Sequence, residues 1–211
     1  MSVKQLFRNV CSQWFLQSVR LGFAFIVTVF VARILGLEGY GVASSIFVFS
    51  SAFSFILDPS FAPSLVRYIS VYHGSGKDYY PLLAGYLLYK LVAGSLAAPA
   101  FYLLAPWFAE LVNASRYVYA FKIYALCMLT WSLLSVFMVY LDGINRIDLN
   151  VLYNTIGSFV GYVTSLTLVL LGFGVIGYII SFIVAPMMVL IVCLVRHAGL
   201  LVRPVSYTHL R

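Results

Sequence analysis

The near-absence of charged residues over long stretches is the strongest constraint on the fold of this chain. The segment 151–195 contains no Asp, Glu, Lys, Arg or His. Across all 211 residues, 63% are hydrophobic and 9% are charged, whereas soluble globular proteins are about 45–50% apolar and about 25% charged. Because a chain of this composition cannot dissolve as a monomer, and because only helices or closed barrels cross a bilayer, we expect an all-α integral membrane protein.

Six apolar segments are long enough to cross the membrane, since one helical crossing takes roughly 20 residues. They are predicted at Trp14–Ile34, Gly41–Asp58, Pro81–Leu104, Tyr117–Leu141, Val151–Leu171 and Val175–Val195. Pro99 is expected to interrupt the third segment, and Pro186 lies inside the sixth. Prolines are tolerated within such segments where neighbouring helices satisfy the freed carbonyl groups.

Two connections between these segments carry local signals. Three glycines in the segment 35–41 ("LGLEGYG") predict a tight reversal at the membrane surface. In the longer connection 59–80, Leu65, Ile69 and Tyr72 recur at helical spacing and predict a short interfacial helix. A cytoplasmic extension of the second crossing is the alternative, although Pro59 favours a break there.

The distribution of Lys and Arg predicts the orientation, because cytoplasmic flanks carry an excess of these residues. If the N-terminus is cytoplasmic, the inner segments hold eight of them: Lys4, Arg8, Arg67, Lys77, Arg146, Arg196, Arg203 and Arg211. The outer flanks hold three: Arg33, Arg116 and Lys122. We therefore expect both termini to be cytoplasmic. The net charge of +7 is explained by this topology, and the sequence contains no nucleic-acid-binding motif.

Polar residues inside the crossings should face protein or water, because lipid leaves them without hydrogen bonds. Helical spacing groups them into stripes that predict a substrate-binding cavity lined by Gln17, Arg20, Ser54, Asp58, Lys90, Asn154 and Ser158. For the serines and glycines, close helix packing is the alternative interpretation, and Gly157 and Gly161 form a GxxxG motif.

Arg20 and Lys90 need a further explanation, because a basic residue near the centre of a crossing costs about 2.5–3.5 kcal/mol. Arg20 lies seven residues into the first crossing, so its long side chain can reach the membrane surface. Lys90 lies nearer the middle of the third crossing. A role in the cavity and an internal ion pair with Asp58 are the two interpretations.

Features of enzyme chemistry are sparse. The three His residues lie outside the crossings, and the sequence contains no nucleophile elbow, phosphate-binding loop or metal-ligand spacing. Asp142 and Asp148 are the only two acids that lie close together. Cys127 and Cys193 are predicted to be buried, inert thiols. We expect no catalytic residues, no metal and no cofactor.

The segment 32–70 resembles the polysaccharide transporter (Wzx-like) branch of the multidrug/oligosaccharidyl-lipid/polysaccharide flippase superfamily. The resemblance rests on Leu35-Gly36 followed by Glu38-Gly39-Tyr40-Gly41, on the serine-rich second crossing, and on Leu65-Val66-Arg67-Tyr68-Ile69. This chain has Leu37 where the family usually has proline, and Pro59-Ser60 where a glycine is common.

The resemblance implies a fold of two six-helix lobes around a cavity that opens alternately to each side of the membrane. It implies an inner-membrane flippase that translocates oligosaccharide linked to a polyprenyl diphosphate, with Arg20 and Lys90 suited to the diphosphate. Residues 1–198 then correspond to the N-terminal lobe, and the C-terminal lobe is the expected partner.

Residues 199–211 are expected to form a cytoplasmic tail. Its end, "VSYTHLR", resembles the appended sequence of a truncated translation, so we expect the chain to be a fragment. The alternatives are a lipid II flippase or a drug/cation antiporter of the same superfamily, a six-crossing membrane scaffold, or a membrane-bound glycosyl- or acyltransferase using Asp142 and Asp148.

Overall fold

The structure, a computed structural model, describes residues 3–58 and 61–202 and is helical throughout its regular elements in these ranges. The helices are α1 (Val3–Leu57), α2 (Phe61–Gly74), α3 (Tyr80–Leu111), α4 (Val118–Gly143), α5 (Ile147–Leu168) and α6 (Gly174–Val202). A 3₁₀ turn (Ser115–Tyr117) precedes α4, and a π-helical turn (Val169–Phe173) joins α5 to α6. The predicted all-α class is confirmed. Residues 205–211, the segment predicted to be non-native, lie outside the described residues.

Four helical stretches of the described chain are long and apolar enough to cross a membrane. They are Gln17–Phe53, Tyr80–Leu111, Ser115–Gly143 and Ile147–Arg196. The structure therefore differs from the prediction of six separate membrane-crossing helices. The first and last stretches have 37 and 50 residues. Each contains one of the predicted turns, and each turn is so tight that helix continues directly on both sides of it.

Gly36 breaks the first of these long stretches. Its backbone dihedral angles, φ 71° and ψ 178°, are not helical, and they fall in a region that essentially only glycine adopts. The break divides α1 into a first limb (residues 3–35) and a second limb (residues 37–57). Gly172, with φ 90°, plays the corresponding part between α5 and α6.

Ring contacts show that the two limbs of α1 run in opposite directions. The ring of Phe23 in the first limb lies 5.9 Å from that of Tyr162 in α5, and the ring of Phe47 in the second limb lies 4.6 Å from that of Phe182 in α6. At the turn, Gly39 lies against Val175. The first limb thus follows α5 and the second follows α6, and two helical hairpins pack side by side.

Close packing at glycines holds α5 and α6 together. A Cβ atom added at Gly157 would lie 2.6 Å from Val189 Cγ2, and one added at Gly161 would lie 3.0 Å from Ala185 Cβ. The predicted role of the GxxxG motif in helix packing is thereby confirmed, and its partner is α6. α4 contacts α2, α3 and α6 and joins these helices within the bundle.

The prediction that Pro99 interrupts the third crossing is wrong. α3 continues through both Pro99 and Pro106. A proline inside a helix removes one backbone hydrogen bond, and α3 tolerates that loss while packing along α4, where Gly94 lies close to Ser132.

The predicted short helix between the second and third crossings is confirmed as α2. Ile69 is fully buried and packs against Gly143 at the end of α4, where an added Cβ would lie 2.5 Å from Ile69 Cγ2. Arg67 on the same helix is exposed. Pro59, which was expected to break the chain before this helix, lies outside the described residues.

Candidate functional site

A buried ion pair joins the end of α1 to α3. Lys90 Nζ donates hydrogen bonds to Asp58 Oδ2 at 3.1 Å and to the backbone carbonyl of Leu57 at 2.9 Å. The hydroxyl of Tyr86 donates to the same Asp58 oxygen at 3.1 Å. The side chain of Lys90 is 3% exposed and that of Asp58 is 30% exposed. Of the two interpretations of Lys90 open from the sequence, the ion pair with Asp58 is observed.

The helix geometry explains why these groups meet. Tyr86 and Lys90 are separated by four residues on α3 and therefore share one face. Asp58 directly follows the last residue of α1, so its carboxylate and the final carbonyl of that helix are presented together. Ser132 on α4 donates a 2.8 Å hydrogen bond to the backbone carbonyl of Lys90, which ties the same turn of α3 to α4.

Beside this pair lies a cavity of about 330 Å³, which we call the ion-pair cavity. Its lining residues are Ser50, Leu57, Asp58, Lys90, Tyr124, Met128, Trp131, Ser132 and Ser135. The second carboxylate oxygen, Asp58 Oδ1, is buried and has no hydrogen-bond partner among the described residues. An unpartnered buried acceptor is costly, so this oxygen is a place where a hydrogen-bond donor of a ligand would be stabilised.

A second, smaller cavity of about 150 Å³ lies between the first limb of α1, α5 and α6, and we call it the hydroxyl cavity. Its polar lining residues are Thr28, Asn154, Ser158, Tyr162, Ser165, Tyr178 and Ser181. Ser158 and Ser181 donate to backbone carbonyls of their own helices, whereas the buried Ser165 hydroxyl has no partner within the described part of the chain. Trp131 on α4 lines both cavities.

The residues predicted to line one cavity fall into separate groups. Asp58 and Lys90 line the ion-pair cavity, and Asn154 and Ser158 line the hydroxyl cavity. Gln17 is exposed on the first limb of α1. Their role in binding substrate stays a prediction.

Two further predicted residues belong to neither group. Arg20 is half-buried and forms no ion pair within the described chain. Ser54 belongs to α1, but its side chain lies outside the described part of the structure.

Sequence reasoning missed the contribution of α4. Trp131, Ser132 and Ser135 lie in an apolar segment with no polar stripe, yet they form one wall of the ion-pair cavity. The one available signal was the cluster of polar residues around a tryptophan in an otherwise apolar crossing.

The residues considered for catalysis or metal binding lie outside both cavities. Asp142 accepts a 2.6 Å hydrogen bond from Asn150, and Asp148 forms an exposed ion pair with Arg146. Each carboxylate thus has a partner of its own. Among the described residues, no three His, Cys, Asp or Glu side chains group as metal ligands. Cys127 and Cys193 are buried, as predicted.

Comparison with known proteins gives one match. A family model described as "polysaccharide biosynthesis protein" matches residues 6–199. No curated protein and no solved structure matches the chain.

Proposed function

Because this chain belongs to the polysaccharide biosynthesis protein family, we propose that it takes part in moving lipid-linked oligosaccharide from the inner to the outer leaflet of the cytoplasmic membrane. The observation that carries the proposal is the buried Lys90–Asp58 pair beside a cavity among membrane-length apolar helices. Ionisable residues at such positions typically mark the path of a transported substrate or proton.

We propose that the chain crosses the membrane six times. The breaks at Gly36 and Gly172 divide the two longest apolar stretches into antiparallel pairs, and α3 and α4 supply the other two crossings. Together with the excess of Lys and Arg on one side, this arrangement supports the proposal that both termini are cytoplasmic. A second six-helix lobe is the proposed partner, since repeat-built transporters work by one lobe rocking against another.

The proposed orientation predicts which positions a membrane-impermeant maleimide reaches in intact cells. A cysteine at Glu38, next to the break in α1, is expected to be labelled, whereas one at His73, near the end of α2, is expected to stay unlabelled until the membrane is permeabilised. The native Cys127 and Cys193 are buried, and Cys11→Ser removes the third thiol. Labelling at 73 and not at 38 would overturn the topology.

The charge arrangement favours a phosphate-bearing substrate over a cationic drug. A cation would have to displace the buried Lys90, which is also bonded to the carbonyl of Leu57, whereas a phosphate has only to displace the more exposed carboxylate of Asp58. We propose that a diphosphate oxygen replaces Asp58 as the partner of Lys90, since charge-assisted hydrogen bonds to phosphate are strong. Arg20, a half-buried cation without an ion-pair partner in the described chain, is the second proposed contact.

Binding of undecaprenyl diphosphate to the purified chain tests this proposal. We expect Lys90→Gln to raise the Kd by about tenfold or more, because a hydrogen bond to a charged group contributes about 1.5–3 kcal/mol. Arg146→Gln, which removes an exposed cation, is the matched control and should leave the Kd unchanged. Undecaprenol, which lacks the diphosphate, should bind equally to all three proteins. Equal Kd values for wild type and Lys90→Gln would contradict the proposed contact.

A further inference from the structure

A groove of about 430 Å³ runs between α3 and α4 and shares no lining residue with either cavity. It is lined by Ala98, Pro99, Tyr102, Tyr119, Lys122, Ile123, Ala125 and Leu126. Its floor contains Ala98 and Pro99 of α3 and Ala125 of α4. These short side chains leave a trough between the longer side chains that line the groove. The trough is apolar along its length and carries a cation near one end.

The groove opens onto a surface that lipid solvates. On α3, Leu96 and Leu103 flank it and are 66% and 76% exposed, and Leu126 on α4 is 61% exposed. Both helices are membrane-length apolar stretches. Exposing such an apolar surface to water is unfavourable, so in the membrane the groove is filled by the acyl chains of lipids.

Lys122 is the residue of the groove that can select among lipid headgroups. Its Nζ atom lies 5.1 Å from the centre of the Tyr102 ring and 5.9 Å from that of Tyr119. The ion pairs of the described residues join Lys90 to Asp58 and Arg146 to Asp148, so Lys122 has no carboxylate partner there. It is the fifth residue of α4, about 6 Å along the axis from the start of that helix. Lysine and tyrosine at this depth lie at the level of lipid headgroups.

We propose that this groove binds one anionic phospholipid, with an acyl chain in the trough and its phosphate on Lys122. The aromatic rings hold the ammonium group by cation–π attraction while leaving its hydrogens available to phosphate oxygens. Arg116, beyond the start of α4, adds a second positive charge at the same end of the helices. The site is independent of the transport proposal, since it shares no residue with either cavity.

Native mass spectrometry of the purified, delipidated chain tests the site. With equal phosphatidylglycerol and phosphatidylcholine, we expect one phosphatidylglycerol to be retained preferentially. Lys122→Gln should lower that preference about fivefold, as expected for one basic residue at an anionic surface, while Lys122→Arg should preserve it. Ala98→Phe, which fills the trough, should reduce retention of both lipids. Inorganic phosphate should not displace the lipid, because the apolar chain holds it.

Several outcomes would overturn the site. An unchanged preference in Lys122→Gln means that the cation does not select the headgroup. Unchanged retention in Ala98→Phe, with the helical circular dichroism of wild type, means that the lipid lies elsewhere. A chain dimer that Ala98→Phe dissociates means that a second copy fills the groove. Arg146→Gln serves as the control for loss of a cation outside the groove.

Discussion

Replacing Asp58 with asparagine is expected to lower the free energy of unfolding by about 3–5 kcal/mol, because it leaves the buried Lys90 ammonium without its counter-charge. Asp148→Asn breaks the other ion pair, whose partners are 53% and 65% exposed, and should cost about 0–1 kcal/mol. The double variant Asp58→Asn, Lys90→Met removes both charges and should regain most of the stability lost in the single variant.

Unfolding by sodium dodecyl sulfate, followed by tryptophan fluorescence, measures all four proteins in one detergent. Comparing the four proteins distinguishes a loss of stability caused by breaking the ion pair from a loss that any substitution at these positions would cause. If Asp58→Asn and Asp148→Asn shift the transition equally, Lys90 does not depend on Asp58 for its burial. If the double variant is no more stable than Asp58→Asn, the loss comes from packing and not from an isolated charge.

Replacing Gly36 with alanine is the second substitution with a large expected effect. At φ 71° and ψ 178° a Cβ atom strains the backbone, and we expect a loss of about 1–3 kcal/mol. The space around Gly36 is open, so the cost arises from the backbone and not from a collision. Relaxing the strain would require the hairpin of the two limbs of α1 to open.

Gly41→Ala is the matched control, five residues further along α1. Its surroundings are equally open and its backbone is helical, so alanine should be neutral or stabilising by up to about 1 kcal/mol. The same detergent titration reads out both variants. Equal stability of Gly36→Ala and Gly41→Ala would mean that the chain does not reverse at Gly36 in the way described.

The features that the sequence predicted correctly depend on local chemistry. A long run without charge has to form helix in lipid, so the helical class follows from composition. The glycines at 36, 39 and 41 predicted the reversal, and the spacing of Leu65, Ile69 and Tyr72 predicted α2. Each of these signals acts within a few residues of the structure it determines.

The predictions that failed or stayed open depend on which helices meet. Periodicity places Lys90 and Asn154 on a face of their own helix, but it does not say which helix lies opposite. The two residues accordingly line different cavities. The prolines show the same limit, since whether Pro99 interrupts α3 depends on its packing against α4.

The bond from Lys90 to the carbonyl of Leu57 has a consequence for how this lysine can change partners. The aligned peptide dipoles of a helix leave about half a negative charge at its C-terminal end, and Leu57 is the last residue of α1. Lys90 is therefore held by one negative group that can be displaced and by another that is fixed in the backbone. Losing Asp58 to a competing anion leaves the ammonium partly compensated, and the lysine stays anchored to the end of α1 throughout the exchange.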